Sequence, residues 1–508
     1  MSTLHIGLLY GGATIAALFS GIPIAFALGG VAVIFMMVFM PGASVDTIAQ
    51  NVYEELASIT LLTIPLFILK GAAIGKSRAG KDLYDALHTW LHRIPGGLGV
   101  AVVLACGLFA AMAGSSPATC SAIGSSGIPE MRKRGYSPGF AAGLVAAGGT
   151  LGILLPPSIV LILYAVRAEL SLGRLFLAGI GPGILLVLLF SGYAMVRWRT
   201  EYRQAVVGSE ILRNESFTLR EKMTALPRVL PFLILLTGVM FALYSGLATP
   251  SETAGLGAVL ALLLIAAVYG AWRISDLKPI FAGTLGESGM LLMIIGMSLL
   301  YSYVMSYLHI SQSVATWIVA QQLSKWVLLA AILLMVVVLG FFLPPVSIIL
   351  MTAPIILPPL RDAGFDLIWF GIVMVVVMEM GLIHPPVGLN IFVLNRIAPD
   401  IGLGAIIWGT LPFVLLMAVA VVILSFGHWT NSPQSQTRSA SDALLQSIEL
   451  AVAVEQLGAD GAYFRVHHFA RQLASPFPLL AAVGARTSRI EIGTAVIDMR
   501  YELSLIHI

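Results

Sequence analysis

The stretch that decides the fold is Gly148-Gly149-Thr150-Leu151-Gly152-Ile153-Leu154-Leu155-Pro156-Pro157, read with its counterpart Glu379-Met380-Gly381-Leu382-Ile383-His384-Pro385-Pro386-Val387-Gly388. Both lie inside long apolar runs. Tandem prolines remove two backbone donors and stop an α-helix, so carbonyls one turn earlier lose their partners. The glycines let a second backbone come close. Lipid cannot satisfy freed backbone groups, so irregular chain at membrane depth must be buried in protein or line a cavity.

The two stretches lie 229 residues apart, and that offset carries Gly152, Pro156 and Pro157 onto Gly381, Pro385 and Pro386. It also carries Ile128-Pro129-Glu130-Met131-Arg132 with Gly135-Tyr136 onto Leu357-Pro358-Pro359-Leu360-Arg361 with Gly364-Phe365. The helix pair around Gly21-Ile22-Pro23 falls on the pair around Gly246 and Pro250. A constant offset through several proline and glycine landmarks is a duplication.

Composition says what surrounds these breaks. Of 508 residues 58% are hydrophobic and 10% charged, with mean hydropathy +0.95. Soluble chains carry about 25% charged residues, so most of this surface must face lipid or other helices. The net charge of +3 gives no footprint for nucleic acid. Cys106 and Cys120 are too few for a disulfide framework or a cysteine metal site. No Lys or Arg precedes Lys70, so the first apolar run lacks the basic start of a cleavable signal and reads as membrane helix.

A spanning helix needs ~20 apolar residues. Spans are expected near 5–20, 22–40, 61–76, 139–166, 174–197, 229–247, 250–271, 288–308, 366–397 and 404–427. The stretches 97–130 and 326–360 break at Gly114-Ser115-Ser116-Pro117 and Leu343-Pro344-Pro345, and both read as re-entrant hairpins. The expected organisation is a first repeat over 1–197, a cytoplasmic linker over 198–228, a second repeat over 229–427, and a polar linker with a soluble fragment over 428–508.

Five spans per repeat is an odd number, so the second repeat runs through the bilayer inverted. Loop charges agree under the positive-inside rule. Lys76, Arg78, Lys81, Arg93, Arg132, Lys133 and Arg134 fall on one side, joined by Arg197, Arg199, Arg203, Arg213, Arg220, Lys222 and Arg228 of the linker. Both termini are then outside, the 97–130 hairpin opens inward and the 326–360 hairpin outward.

Inverted repeats with broken helices are a plan of secondary transporters, with sites near the midplane where the helices break. The first hairpin tip and its following arm offer Ser115, Ser116, Thr119, Ser121, Ser125 and Ser126. Hydroxyls and freed carbonyls without a carboxylate suit a monovalent hard cation. Small residues also permit tight helix packing, the reading preferred for Ser121, Ser125 and Ser126. Glu379 is an intramembrane acid, functional or supporting the adjacent break. Asn390 orients the second break or touches substrate. Arg167 reads as an interface residue.

These residues together resemble the large membrane subunit of tripartite ATP-independent periplasmic (TRAP) transporters, over about residues 4–427. The motifs that carry the resemblance are Gly114-Ser115-Ser116-Pro117-Ala118-Thr119, Ile128-Pro129-Glu130-Met131 with Arg134-Gly135-Tyr136, Gly148–Gly152 leading to Pro156-Pro157-Ser158, and Pro385-Pro386-Val387-Gly388-Leu389-Asn390. The resemblance implies an all-α, elevator-type, sodium-coupled symporter of the bacterial inner membrane that takes up a small organic acid such as a C4-dicarboxylate. It implies sodium ions and no organic cofactor. It implies two partners, a small four-helix membrane subunit and a periplasmic binding protein. No four-helix module precedes the first span, so the small subunit is expected as a separate chain. Substrate contacts are expected from Ser115, Ser116, Thr119 and Asn390. The first sodium site would use Ser115, Ser116, Gly152, Leu155 and Pro157, and the second Gly340, Leu343, Gly381, His384 and Val387. Pro344-Pro345 stands where relatives often have Asp-Pro, and His384 where many have Thr, which weakens the second site. A proton-coupled carrier is the alternative on the same fold.

After Trp429 the chain turns polar. Leu457–Tyr463, His467-His468-Phe469 and Ala485–Ile490 with Gly493-Thr494-Ala495 resemble the opening of luciferase-like flavin monooxygenases. That family folds as a barrel of ~250 residues, far more than the tail supplies. The tail is read as a truncated fusion or an artefact of sequence assembly without flavin activity, which makes a membrane-tethered monooxygenase the weaker functional alternative.

Overall fold

In the computed structural model the described residues are 3–430 apart from 43–45, 47, 203–216, 311, 314–315, 317–323 and 386–387, and beyond them 452, 461–465 and 491–496. The chain divides into two units, Met1–Gly427 and His428–Ile508.

In the first unit the described residues are almost all helical. Pro138–Leu154 starts where Ser137 accepts a hydrogen bond from the Phe140 N–H at 3.3 Å, and ends against Pro156-Pro157, whose peptide bond is cis. Ser158 then caps Ile159–Ala168. In the second broken helix Asp366 accepts from the backbone N–H of Ile368 and Trp369 at 2.7 and 3.0 Å to start Leu367–Leu382, and Leu389–Ile397 follows Gly388. Each hairpin has two arms, Gly97–Ala113 with Ser116–Lys133, and Lys325–Gly340 with Pro345–Asp362. Ser116 and Pro345, Lys133 and Asp362, Pro138 and Leu367, and Ala168 and Ile397 all stand 229 residues apart.

Packing interlocks the halves. Pro138–Leu154 lies against both arms of the first hairpin, while Ile159–Ala168 packs on Pro345–Asp362 of the second. Leu367–Leu382 lies against the arms of the second hairpin, while Leu389–Ile397 packs on Ser116–Lys133 of the first. Arg132 and Asp400 close a 2.6 Å ion pair between the two halves. Around this centre Ile59–Gly75 packs on Pro250–Tyr269, and Ile24–Phe39 on Ile274–Tyr307.

Burial separates centre from periphery. The most apolar window of Pro138–Ala168 is 89% buried, against 28% for Leu403–Ser425. The second value leaves a helix whose exposed side, with Trp408, Leu415 and Val422, is apolar and fits hydrocarbon. Among the described residues five helices have the length and composition to cross a membrane, or up to seven if bent pairs count as single spans.

Several boundaries differ from the sequence expectation. The helix placed at 288–308 runs over Ile274–Tyr307, and the one placed at 229–247 starts at Leu219. The 198–228 linker is therefore partly helical, beginning as a π-turn at Trp198–Tyr202; its residues 203–216 lie outside the described residues. Ile48–Leu56 and Ala79–Leu91 are additional helices with charged or polar faces, outside the spans expected from the sequence. In the second unit Gly461–Arg465 and Glu491–Val496 pair as parallel strands; the remaining tail segments singled out in the sequence lie outside the described residues.

Candidate transport site

The first hairpin tip touches the first helix break backbone to backbone. Gly114 turns with φ 65°, and a Cβ there would lie 2.8 Å from the Pro157 carbonyl oxygen. A Cβ on Gly152 would lie 2.7 Å from the Ser115 carbonyl and 2.9 Å from the Ser116 nitrogen. Glycine is required at both positions by that approach. The tip is closed in from the other side by Gly71 of Ile59–Gly75, which abuts the Ala113 carbonyl.

Pro156 and Pro157 cannot donate to the carbonyls of Gly152 and Ile153, their partners four residues back. Ser158 compensates one of them. Its hydroxyl donates to the Ile153 carbonyl at 2.5 Å while its oxygen accepts from the Leu161 N–H at 3.3 Å. The Gly152 carbonyl accepts no hydrogen bond among the described residues, and Gly152 is buried. An orphaned buried carbonyl is uncommon unless something else satisfies it.

Ser116 and Asn390 join the two halves. Both are fully buried; Asn390 Nδ2 lies 2.8 Å from Ser116 Oγ and 3.1 Å from the Ala146 carbonyl, with Oδ1 at 3.1 Å from the same hydroxyl. Thr119 is buried as well and donates to the Ser115 carbonyl at 2.9 Å. Ser115 is the N-cap residue of its arm, yet its side chain makes no capping bond. Of the four expected substrate contacts, only Ser115 lines the neighbouring cavity, of about 280 Å³. Ser116, Thr119 and Asn390 spend their polar atoms on internal hydrogen bonds. Ser121, read in the sequence as packing, lines that cavity and is exposed.

Leu155 follows the first break with an extended backbone, ψ 129°, and packs its side chain toward Gly183. At the second break Gly340 and Gly381 meet backbone to backbone. The His384 ring stacks on Phe341 of the second hairpin, centroids 4.8 Å apart, and its Nδ1 lies 2.7 Å from the Pro385 carbonyl oxygen. Leu343 is half-buried beside Ile15, Leu18 and Phe19. Val387 lies outside the described residues. Glu379 is fully buried, and neither carboxyl oxygen has a hydrogen-bond partner among the described residues. It stands in register with Thr150 of the first repeat, whose hydroxyl is satisfied by the Ala147 carbonyl at 2.7 Å.

Among the described residues no group of three or more His, Cys, Asp or Glu side chains is placed to hold a metal ion. Around the first break the oxygen atoms on offer are carbonyls and hydroxyls. The orphaned Gly152 carbonyl beside the Ser115–Ser116 tip is one of them.

The family model for the DctM component of tripartite ATP-independent periplasmic transporters matches residues 12–430. The chain belongs to this family. The C4-dicarboxylate TRAP transporter large permease protein DctM of Pseudomonas aeruginosa is 38% identical over 391 residues, 77% of this chain and 89% of that protein. The protein of the same name from Rhodobacter capsulatus is 34% identical, covering 82% and 95%. The isethionate TRAP transporter permease protein DctMQ of Oleidesulfovibrio alaskensis is 30% identical over 80% of this chain and 62% of its own length. Among solved structures the Alcanivorax borkumensis YdaH transporter overlays with a TM-score of 0.56 at 14% identity, covering 82% of this chain and 98% of that one; that likeness is one of fold. The model for luciferase-like monooxygenases matches residues 422–499, the tail of this large permease. The large permease is thus a multi-pass helical membrane protein, and its tail is the part with a foreign resemblance.

Proposed function

We propose that this large permease takes up a small organic acid, of C4-dicarboxylate type, across the bacterial inner membrane in symport with sodium. The observation that carries the reading is the contact of the Gly114–Ser116 tip with the Gly152–Pro157 break, where a buried carbonyl without a hydrogen bond among the described residues belongs to the glycine that abuts the Ser115–Ser116 backbone. Ser115, Ser116, Gly152, Leu155 and Pro157 would hold one sodium ion; Gly340, Leu343, Gly381, His384 and Val387 would hold a second. A bound cation supplies the positive charge that an anionic substrate needs inside low-dielectric surroundings. The protein's own part is to bring hairpin tip and break together and to keep water out of the backbone contact.

The two halves cross the bilayer in opposite senses, and substrate moves as the interlocked centre shifts against the surrounding helices. The loop charges and the repeated element ends support that arrangement. The relatives' names support a separate periplasmic binding protein and a small membrane subunit as partners, although the DctMQ relative is longer than this chain. Reconstituting the chain with those partners tests the coupling. An imposed inward sodium gradient should drive accumulation of radiolabelled succinate, with a proton gradient alone giving none. Accumulation driven by protons without sodium would replace this reading with proton coupling.

A further inference from the structure

We propose that Lys76 is the cationic contact for the acid group of the transported anion at the first hairpin tip. This rests on the transport reading above and adds a specificity residue to it.

The cavity beside the tip has walls from both moving and surrounding parts. Ser115 and Ser121 come from the hairpin arm, Lys76 closes Ile59–Gly75, and Pro279 and Glu287 come from Ile274–Tyr307. At about 280 Å³ it lies just below the usual range of ligand sites, which starts at ~300 Å³. A second cavity of about 460 Å³, bounded by Arg78 and Asp276, shares Lys76 and Pro279 with the first. Lys76 therefore stands where the tip cavity meets a space at the basic end of the bundle, the end that the positive-inside rule makes cytoplasmic.

Its charge is uncommitted. Lys133 is held by Glu130 and Arg132 by Asp400, but Lys76 makes no side-chain hydrogen bond or ion pair among the described residues. Glu287 makes none either, and the two do not pair with each other. The hydroxyls of Ser115 and Ser121 are also without partners among the described residues. Lys76 is exposed at the mouth of the cavity, and an unpaired ammonium there offers donors for a charge-assisted hydrogen bond to an anion. Glu287 lines the same cavity and repels an anion, which leaves Lys76 as the cation on that wall. An interfacial lysine that merely obeys the topology rule would leave ligand affinity untouched.

The test is a titration of succinate, isethionate and the uncharged diamide of succinate against the detergent-purified complex of this chain with its small membrane subunit, at saturating sodium. The wild type should bind an acid and ignore the diamide. Lys76→Gln should weaken acid binding about twofold to fivefold, the loss expected for one solvent-exposed charge contact. Lys76→Arg should recover most of it, and Glu287→Gln should tighten it. Should Lys76→Gln fail to assemble, the Arg and Glu287 variants still decide. Wild-type affinity in Lys76→Gln, or weakened binding in Glu287→Gln, would overturn the assignment while leaving the transport reading intact. A wild type that binds neither acid would overturn both.

Discussion

Gly152→Ala should separate a functional contact from ordinary helix packing. A methyl group at this position would sit 2.7 Å from the carbon and oxygen of the Ser115 carbonyl and 2.9 Å from the Ser116 nitrogen. Ordinary contact begins at 3.4 Å, so tip and break must separate by about 0.7 Å. The obstructing atoms are backbone and cannot rotate away. The tip is also fixed by Gly114 against Pro157 and by Ser116 against Asn390. Overpacking of this kind costs ~1–3 kcal/mol, which should appear as a lower melting temperature of the purified permease. The functional loss should be larger in proportion, since binding constellations tolerate only ~0.5 Å of misplacement. Half-maximal uptake in proteoliposomes should need at least about tenfold more sodium, equivalent to ~1.4 kcal/mol. Gly30→Ala is the control: a Cβ there meets nothing within 4 Å, and helix propensity favours the change by up to ~1 kcal/mol. A Gly152→Ala protein with the melting temperature and sodium curve of the wild type would refute the close contact and the site built on it.

Two further outcomes follow from burial and organisation. Glu379→Met replaces a fully buried carboxyl group that has no hydrogen-bond partner among the described residues by an apolar chain of similar length. Burying a polar group without a hydrogen bond costs ~1–3 kcal/mol, so the melting temperature should hold or rise while uptake falls; a destabilised variant would show that the carboxyl group serves the fold. Removing residues 431–508 should leave membrane assembly and uptake unchanged, because the family match ends at residue 430. Loss of uptake at equal expression would give the tail a working role.

What the sequence revealed depended on how local the cause was. Proline pairs and glycines act on their own backbone, so both breaks and both hairpin tips were legible to within a few residues. The start of Leu219–Tyr244 was missed although its signal was present: Thr218 and Glu221 form a capping box, each side chain bonding the other's backbone N–H. The basic residues around it drew the reading toward linker. Ala79–Leu91 was missed because its charged face hid the apolar one that buries Leu83, Tyr84 and Ala86. Ser158 had a readable signature as well, a capping residue between a proline pair and an apolar run. Its second bond, to the Ile153 carbonyl, depends on the shape of the break.

The site was less legible than the fold. Ser116, Thr119 and Asn390 were singled out for their polarity, but polarity cannot tell a ligand from a group satisfied internally. Asn390 reaches Ser116 across 274 residues of sequence, a pairing that only the interlocked packing creates. Lys76 was read only as a loop charge, and Glu287 was not singled out. Which wall of which cavity a helix presents is settled by its neighbours, and no sequence window contains them.

The most direct measurement of the central claim, that a sodium ion bridges the first hairpin tip and the first helix break, is a sodium titration of uptake by Ser115→Ala. Ser115 is the better probe than Ser116, whose hydroxyl is engaged with Asn390 and whose loss would disturb packing between the two halves. The Ser115 side chain makes no capping bond, so its removal takes away a candidate ion ligand and one hydroxyl of the cavity wall without breaking a capping bond. A ligand lost from a buried cation costs ~1–3 kcal/mol. Half-maximal uptake should therefore shift roughly tenfold to hundredfold upward in sodium, at unchanged expression and melting temperature. A sodium curve superimposable on that of the wild type would contradict the claim.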